Sequence, residues 1–191
     1  MPFECERSKK IPDIITIKPR VFEDERGWFM ETFSAEDFSD FGIPTHFPQD
    51  NHSRSLAKNV IRGLHYQNNP RAQGKLVRCI VGEIKDVVVD IRKKSPTYGQ
   101  WEMVYLSAKD KHILWVPVGF AHGFCTLTEI SEVVYKTTNE YSPEHDRAIL
   151  WNDPKLSIPW NIKNPYLSPK DANAPLLEEA DNNFIWDNLC E

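Results

Sequence analysis

Short segments with the character of β-strands recur along most of the chain and are separated by turn residues. Residues 27–33 show the pattern clearly, since Trp28, Met30 and Thr32 alternate with three residues of the opposite face. Alternation of this kind is typical of strands, because successive side chains of a strand point to opposite faces of the sheet. Segments spaced by about ten residues with turns between them favour a sandwich or barrel over a βαβ fold.

The strand and helix signals can be assigned to definite residues. We predict strands at residues 14–17, 27–33, 75–81, 84–91, 101–106, 113–116 and 132–138. The glycine at Gly82 predicts a hairpin between two of these strands. Ser34 and Asp37 form a capping-box pattern that Gly42 closes, so a short surface helix is expected there. No glycine-rich phosphate loop of the dinucleotide or P-loop type occurs.

Length and composition restrict the class of protein. A chain of 191 residues with 40% hydrophobic and 27% charged residues is typical of one soluble globular domain. No apolar run approaches the length of a membrane span, and the first residues lack a secretory signal pattern. We therefore expect a cytoplasmic protein with no membrane partner. Its net charge of -5 also argues against a nucleic-acid partner.

The cysteine pattern also favours a cytoplasmic protein. Cys5, Cys79, Cys125 and Cys190 form no CxxC pair, so neither a zinc site nor a disulfide framework is indicated. We expect reduced thiols with no catalytic role, and the two that lie among apolar strand residues should behave as small hydrophobes.

Residues 62–67 (RGLHYQ) and the nearby Lys75 combine a potential base with two cations. His65 beside Arg62 and Lys75 suits proton removal next to a carbonyl, because cations stabilise the enolate that forms and hold an anionic substrate. Residues 117–124, which contain His122, are expected to form a second wall of the same cavity. Taken alone, His65 could equally be a satisfied core histidine, and Lys75 a solvated strand residue.

Seven ordered segments carry a family resemblance: residues 24–31 (DERGWFME), 49–51 (QDN), 62–67 (RGLHYQ), 74–78 (GKLVR), 95–99 (SPTYG), 117–124 (PVGFAHGF) and 151–154 (WNDP). Together they resemble the dTDP-4-dehydrorhamnose 3,5-epimerases, from about residue 14 to residue 171. The strand pattern and the segment around His122 also resemble the wider cupin superfamily. Gln67 stands where a metal-binding cupin has its second histidine, and Lys75 would repel a divalent cation, so no metal is expected.

The resemblance implies an all-β jelly-roll barrel of the cupin type with a few short peripheral helices, formed by residues 1–191 as a single domain. It implies an isomerase without a cofactor. The substrate would be a dTDP-linked 4-keto-6-deoxy-hexose, epimerised at C3 and C5 on the way to dTDP-L-rhamnose and cell-surface polysaccharide such as O-antigen. It also implies a homodimer that exchanges N-terminal strands, whereas the role of the tail at residues 172–191 stays open.

The catalytic roles also come from the resemblance. His65 is the expected base and Asp171 its carboxylate partner, an arrangement that fixes the tautomer of a histidine and stabilises the imidazolium. Tyr135 is the expected acid on the opposite face of the sugar, and Lys75 the group that stabilises the enolate. Without the resemblance, Asp171 would be interpreted as a surface turn residue, and Tyr135 would be interpreted as a tyrosine at the edge of the core.

The resemblance further implies a set of substrate-binding residues: Arg62 and His122 around the sugar and phosphates, Tyr141 stacked on the nucleotide base, Gln49 and Asn51 on the sugar or nucleotide, and Arg26, Phe29 and Glu31 donated by the neighbouring subunit. Three other functions remain open at this point. They are epimerisation at one carbon of another 4-keto sugar nucleotide, sugar binding without catalysis, and metal-dependent cupin chemistry, against which Gln67 and Lys75 count.

Overall fold

The computed structural model describes residues 2–186. Its regular elements are β1 (Phe3–Arg7), β2 (Ile15–Pro19), β3 (Phe22–Asp24), β4 (Gly27–Phe29), α1 (Ala35–Asp40), β5 (Gln49–Ser55), β6 (Ile61–Gln67), β7 (Lys75–Val81), β8 (Glu83–Asp90), β9 (Trp101–Ser107), β10 (Ile113–Val116), β11 (Phe120–Thr126), β12 (Ser131–Thr137), β13 (Asp146–Ala148) and α2 (Pro169–Ala172). The prediction of an all-β jelly roll with short helices is confirmed.

Two antiparallel sheets form the barrel. Six strands lie in the order β1-β2-β10-β7-β12-β5, and five lie in the order β13-β6-β11-β8-β9. Apolar side chains from both sheets meet between them, among them Val77 and Leu114 from the larger sheet and Val88 and Phe124 from the smaller. Because this core fills only part of the space between the sheets, polar side chains can line the remainder.

The chain between β7 and β8 was predicted as a hairpin, and that prediction is wrong. β7 pairs with β10 and β12, whereas β8 pairs with β9 and β11 in the other sheet. Gly82 is the corner between the sheets, with a φ of 74°. A Cβ atom at Gly82 would lie 2.2 Å from Thr128 Oγ1 and 2.3 Å from the Ile130 carbonyl oxygen. The glycine therefore marks a tight crossing between sheets, which has the same sequence signal as a hairpin turn.

The predicted strand at residues 27–33 is shorter than expected. β4 ends at Phe29 because its partner β3 is only three residues long and the pair forms a separate two-stranded sheet. This β3–β4 arm is exposed along its length. The predicted helix is confirmed as α1, in which the Ser34 hydroxyl accepts from the Asp37 amide.

The C-terminal residues up to Trp186 pack on the barrel. Leu177 and Phe184 are buried in the apolar layer that covers the outer face of the five-stranded sheet, and Ile185 forms an isolated bridge with Lys93. Cys5 is exposed, Cys79 and Cys125 are buried, and all three are free thiols, while Cys190 lies outside the described residues. No helix in the described part of the chain is long and apolar enough to cross a membrane.

Candidate active site

Two connected cavities open between the sheets. The inner cavity measures about 250 Å³ and is lined by Ser53, Arg62, His65, Lys75, His122, Phe124, Tyr135, Ser168 and Asp171. The outer cavity measures about 450 Å³ and is lined by Gln49, Asn51, His65, Tyr66, Gln67, Gln73, Lys75, Tyr135, Tyr141, Asp146 and Lys170. Three residues line both cavities, namely His65, Lys75 and Tyr135, so three of the four predicted catalytic side chains lie at their junction, and Asp171 lines the inner cavity alone.

A bulge in β6 allows Arg62 and His65 to face the same cavity. Residues three apart on a regular strand point to opposite faces. Here Phe124 lies opposite Arg62 and His122 lies opposite His65, so two residues of β6 face one residue of β11. Such a bulge redirects a side chain, and Gly63 with a φ of 119° provides the backbone conformation.

His65 is held by a buried carboxylate. Its Nε2 atom lies 2.5 Å from Asp171 Oδ1, and the Asp171 side chain is only 4% exposed. Ser168, the N-cap of α2, donates its hydroxyl to the second carboxylate oxygen at 2.8 Å. Burial acts to raise the pKa of Asp171. The hydrogen bond and charge of His65, together with hydrogen bonds from Ser168 and the Gly63 amide, outweigh this effect, so the pKa is lowered overall. Asp171 is therefore a carboxylate at neutral pH.

His122 has a carboxylate partner of its own. Its Nε2 atom lies 2.9 Å and 3.0 Å from the two oxygens of Asp86, whose side chain is fully buried on β8. Burial raises the pKa of Asp86, opposed by attraction to His122 and to Lys75. Asp86 was not predicted, although an aspartate directly before the three valines of β8 is an informative signal, because buried charges are rare unless they are paired.

Lys75 and Tyr135 reach the cavities from the six-stranded sheet. Burial lowers the pKa of Lys75 from 10.5 to about 8, although the negative charges of Asp146 and Asp86 act in the other direction. Burial raises the pKa of Tyr135, with Arg62 opposing the rise and Asp146 adding to it. At neutral pH the lysine can therefore stabilise a developing anion, and the phenol retains its proton.

The segment that contains His122 was expected to form the second wall, and that expectation is wrong. β11 lies beside β6 in the same sheet, with His122 directly opposite His65 in the ladder. The opposite wall consists of β5, β7 and β12, where Tyr135 pairs with Asn51 and Thr137 pairs with Lys75. Lys75 thus faces His65 from the other sheet.

The outer cavity contains several residues that were expected to bind the nucleotide. Gln49 donates to Asn51 at 2.9 Å and accepts from the Tyr141 amide at 2.8 Å. The Tyr141 ring is 55% exposed at the cavity mouth, and its hydroxyl donates to Asp146 at 3.2 Å. Lys170 also donates to Asp146. Sequence reasoning missed Asp146 and Lys170, because both come from short elements in the proline-rich C-terminal third, where no pattern marks them.

Gln67 has a structural role at the position of the missing histidine. Its amide nitrogen donates to the carbonyl oxygens of Arg71 at 2.6 Å and Glu140 at 3.2 Å, and its amide oxygen accepts from the Ser142 amide at 2.8 Å. Gln67 thereby fixes the loop that presents Tyr141. Within residues 2–186 there is no group of three or more His, Cys, Asp or Glu side chains suited to hold a metal ion.

Arg26, Phe29 and Glu31 are not brought to this cavity within the chain. Arg26 and Phe29 are on the β3–β4 arm, where they line a separate surface groove, and Arg26 pairs with Asp24. Phe29 is 65% exposed. Arg62, by contrast, lines the inner cavity and is held by the Ser55 hydroxyl at 3.3 Å and the Arg54 carbonyl oxygen at 3.1 Å.

The fold and the site define a class: a cupin-type barrel whose cavity contains acid–base side chains on two facing sheets. The family model described as dTDP-4-dehydrorhamnose 3,5-epimerase matches residues 8–179, and the chain belongs to this family. The dTDP-4-dehydrorhamnose 3,5-epimerase of Shigella flexneri is 55% identical over 90% of this chain and 95% of its own.

Two solved structures extend the comparison. A dTDP-6-deoxy-D-glucose-3,5-epimerase from Legionella pneumophila, in complex with dTDP-4-keto-L-rhamnose, is 45% identical with a TM-score of 0.88, covering 93% of this chain and 94% of that one. A 3'-monoepimerase from Streptomyces bikiniensis, in complex with dTDP-quinovose, is 33% identical with a TM-score of 0.85, covering 91% and 88%. The same barrel is thus shared with an enzyme described as acting at a single centre.

Proposed function

We propose that this protein epimerises C3 and C5 of a dTDP-linked 4-keto-6-deoxy-hexose without a cofactor, converting dTDP-4-dehydro-6-deoxy-D-glucose to dTDP-4-dehydro-L-rhamnose. The observation that carries the proposal is the placement of acid and base. His65 and Tyr135 lie on facing sheets and line the same cavities. Inversion at carbon requires a proton to leave one face and another to arrive at the opposite face, which groups on two walls can accomplish.

His65 is the base in this proposal. With Asp171 accepting from Nε2, the Nδ1 atom keeps the lone pair that removes a proton from carbon. The imidazolium that forms is stabilised by the Asp171 carboxylate. The C4 ketone acidifies the hydrogens on both neighbouring carbons, so one base serves C3 and C5 when the ring is presented in two ways.

Lys75 and Tyr135 complete the chemistry. The electron pair left by the departing proton moves onto the C4 oxygen, and the Lys75 ammonium stabilises this enolate in a site with little water. The enolate then collapses, and carbon takes a proton from the Tyr135 hydroxyl on the face opposite His65. The raised pKa of Tyr135 keeps this proton in place until it is needed.

The remaining residues bind the substrate. Arg62 and His122 supply donors to the sugar and phosphates in the inner cavity, while Gln49 and Asn51 contact the sugar or nucleotide from the outer one. The exposed ring of Tyr141 at the mouth offers a face on which a thymine base can stack.

The active protein is a homodimer of single-domain subunits in this proposal. Arg26, Phe29 and Glu31 of one subunit complete the site of the other, which is supported by the exposed aromatic surface of the β3–β4 arm. A groove of about 330 Å³ on the six-stranded sheet offers a place for a second copy. Arg78, which lines it, has a buried Nη1 atom with no hydrogen-bond partner among the described residues.

A cytoplasmic location is part of the same proposal. The three described cysteines are free thiols, as expected in a reducing compartment. The product retains its C4 ketone, so a reductase that acts on this ketone would be the next step toward dTDP-L-rhamnose and a cell-surface polysaccharide such as O-antigen.

Deuterium incorporation tests this function. In deuterated water, the protein and dTDP-4-dehydro-6-deoxy-D-glucose should yield product labelled at both C3 and C5, as measured by NMR and mass spectrometry. Label at one carbon only would establish the single-centre reaction, which the Streptomyces relative makes the second candidate. Absence of exchange at both carbons, with the nucleotide still bound, would establish a sugar-binding cupin and refute the proposal.

A further inference from the structure

Asp181 contacts two neighbouring strands that contribute residues to the outer cavity. It lies two residues beyond the part of the chain that the family model matches, which ends at residue 179. Its backbone carbonyl oxygen accepts from the Tyr66 hydroxyl at 2.7 Å and from the Asn68 side-chain amide at 3.0 Å. Its carboxylate accepts from Arg147 Nε at 2.7 Å. One residue therefore binds both the end of β6 and the neighbouring strand β13.

The register of these strands shows what the contacts control. Tyr66 of β6 lies opposite Arg147 of β13, and the next pair along the ladder is Gln67 opposite Asp146. Tyr66 and Arg147, which contact Asp181, are therefore immediate neighbours of Gln67 and Asp146 along the two strands. Gln67 and Asp146 both line the outer cavity.

β13 is a three-residue strand at the edge of the five-stranded sheet, and β6 is its neighbour in the strand order. Backbone hydrogen bonds between Leu64 and Ile149, and from the Asn68 amide to the His145 carbonyl oxygen, continue this pairing, and the ion pair with Asp181 adds to them. The Asp146 side chain of β13 accepts from Lys170 and from the Tyr141 hydroxyl, the groups that form the mouth of the cavity.

We propose that Asp181 is a positioning residue, which holds β13 against β6 through Arg147 and thereby fixes Asp146, Tyr141 and Lys170 for binding of the nucleoside diphosphate. This inference rests on the proposed function. It assigns a role in substrate affinity to the C-terminal segment, whose role the sequence alone left open. Asp181 acts through Arg147 and touches no reacting atom.

The expected effect is small and concerns binding. The side chains of Arg147 and Asp181 are 33% and 64% exposed, and solvent screens ion pairs of this kind. Asp181→Asn keeps the backbone carbonyl and removes only the charge, so the protein should fold. We expect the KM for the 4-keto sugar nucleotide and the Kd for dTDP each to rise about two- to fivefold, with kcat unchanged.

Glu178→Gln is the matched control. Glu178 is three residues earlier and pairs with Lys155, and both of these side chains are also exposed, but neither lines the cavities. Its KM and Kd should equal those of the wild type. Asp181→Glu, which restores the charge, should recover most of the affinity. In the Asp181→Asn, Arg147→Gln double variant, the rise in KM should be smaller than the product of the two single effects.

Two results for Asp181→Asn, and one for its control, would overturn the inference. One is a wild-type KM in Asp181→Asn; the other is a loss of kcat and melting temperature at constant KM, the signature of a purely structural contact. An equal rise in KM for Glu178→Gln would also refute it, because the effect would then belong to charge in general. Failure of the wild type itself to exchange deuterium would instead refute the proposed function, and the Kd for dTDP would still test Asp181.

Discussion

The two walls of the cavity differ in how their polar groups are held. On the five-stranded sheet, His65 and His122 are each fixed by a buried carboxylate within 3 Å. On the six-stranded sheet, the buried Lys75 and the half-buried Tyr135 have no such partner among the described residues, and the pKa of each is displaced by burial first. The histidines on one wall are therefore oriented by paired carboxylates, whereas the lysine and the tyrosine on the other wall are not.

This difference assigns distinct contributions to the walls. A base must be oriented before substrate binds. A carboxylate partner provides this orientation, and it also makes the histidine less mobile. The group that stabilises the enolate must interact most strongly when negative charge develops on the C4 oxygen. An ammonium group without a carboxylate partner, in a site of low dielectric, meets this requirement.

The largest effect is expected on the paired wall, for His65→Asn. Asparagine can still donate to Asp171, but it cannot take a proton from carbon. Turnover should fall by about 10³-fold or more, since positioned acid–base catalysis contributes about 10²–10⁴-fold. Deuterium exchange at C3 and C5 should be lost together, as followed by NMR, while dTDP binds as before by calorimetry.

His46→Asn is its control. His46 is an exposed histidine that lines neither the two cavities nor the groove on the six-stranded sheet, so the same substitution there should leave turnover within twofold of the wild type. Persistent exchange at either carbon in His65→Asn would show that a second base serves that centre.

On the unpaired wall, Tyr135→Phe removes the proposed acid and leaves the base intact. Complete epimerisation should slow by about 10²-fold, since the phenyl ring cannot deliver a proton. Exchange of deuterium into recovered substrate should persist, because His65 can return a proton to the face from which it was taken. The ratio of exchange to inversion, measured by mass spectrometry and NMR, should therefore rise.

Tyr105→Phe tests the specificity of that result. Tyr105 is 55% exposed on β9, and its variant should keep the wild-type ratio of exchange to inversion. If Tyr135→Phe lowered exchange and inversion equally, Tyr135 would act before carbanion formation and would not be the acid.

Sequence patterns predict elements here better than they predict neighbours. The alternation of β-rich segments is sufficient for a sandwich or barrel, and Ser34 is sufficient for α1, because these signals are local, whereas the jelly roll was implied by the family resemblance. The crossing at Gly82 and the shared sheet of β6 and β11 depend on contacts between distant residues. A glycine-containing turn is compatible with either a hairpin or a crossing, so the local signal cannot decide between them.

The same limit applies to the site. His65, Lys75 and His122 are in recognisable motifs, and a family resemblance was needed to select Asp171 and Tyr135. Asp86, Asp146 and the contacts of Asp181 become apparent only when β8, β13 and the C-terminal segment are placed. Partners of a catalytic group come from distant parts of the chain, and single-sequence patterns carry no distance information.

The smallest effect concerns the charge of Lys75. Burial lowers its pKa to about 8, so the ammonium is present below pH 8 and lost above it. We expect kcat to fall about tenfold per pH unit above this value, as measured in a pH–rate profile. Lys75→Arg keeps its charge in this range. Its kcat should be lower than that of the wild type but should not change with pH, since the raised pKa of Tyr135 keeps that hydroxyl protonated. A wild-type profile that stays level to pH 10 would contradict this assignment.

Stability should change with pH in the opposite direction. Between about pH 8 and 10.5 the unfolded chain binds the Lys75 proton and the folded one does not, so this group makes the free energy of unfolding rise with pH. Lys75→Met removes the cost of a buried charge and should raise that free energy at pH 7 by roughly 1–3 kcal/mol, as measured in urea. Lys85→Met should lower it, because the buried Lys85 donates to the Trp160 carbonyl oxygen at 2.8 Å, which would lose its donor. Destabilisation by both variants would mean that Lys75 has a satisfied partner, and the contrast between the walls would fail.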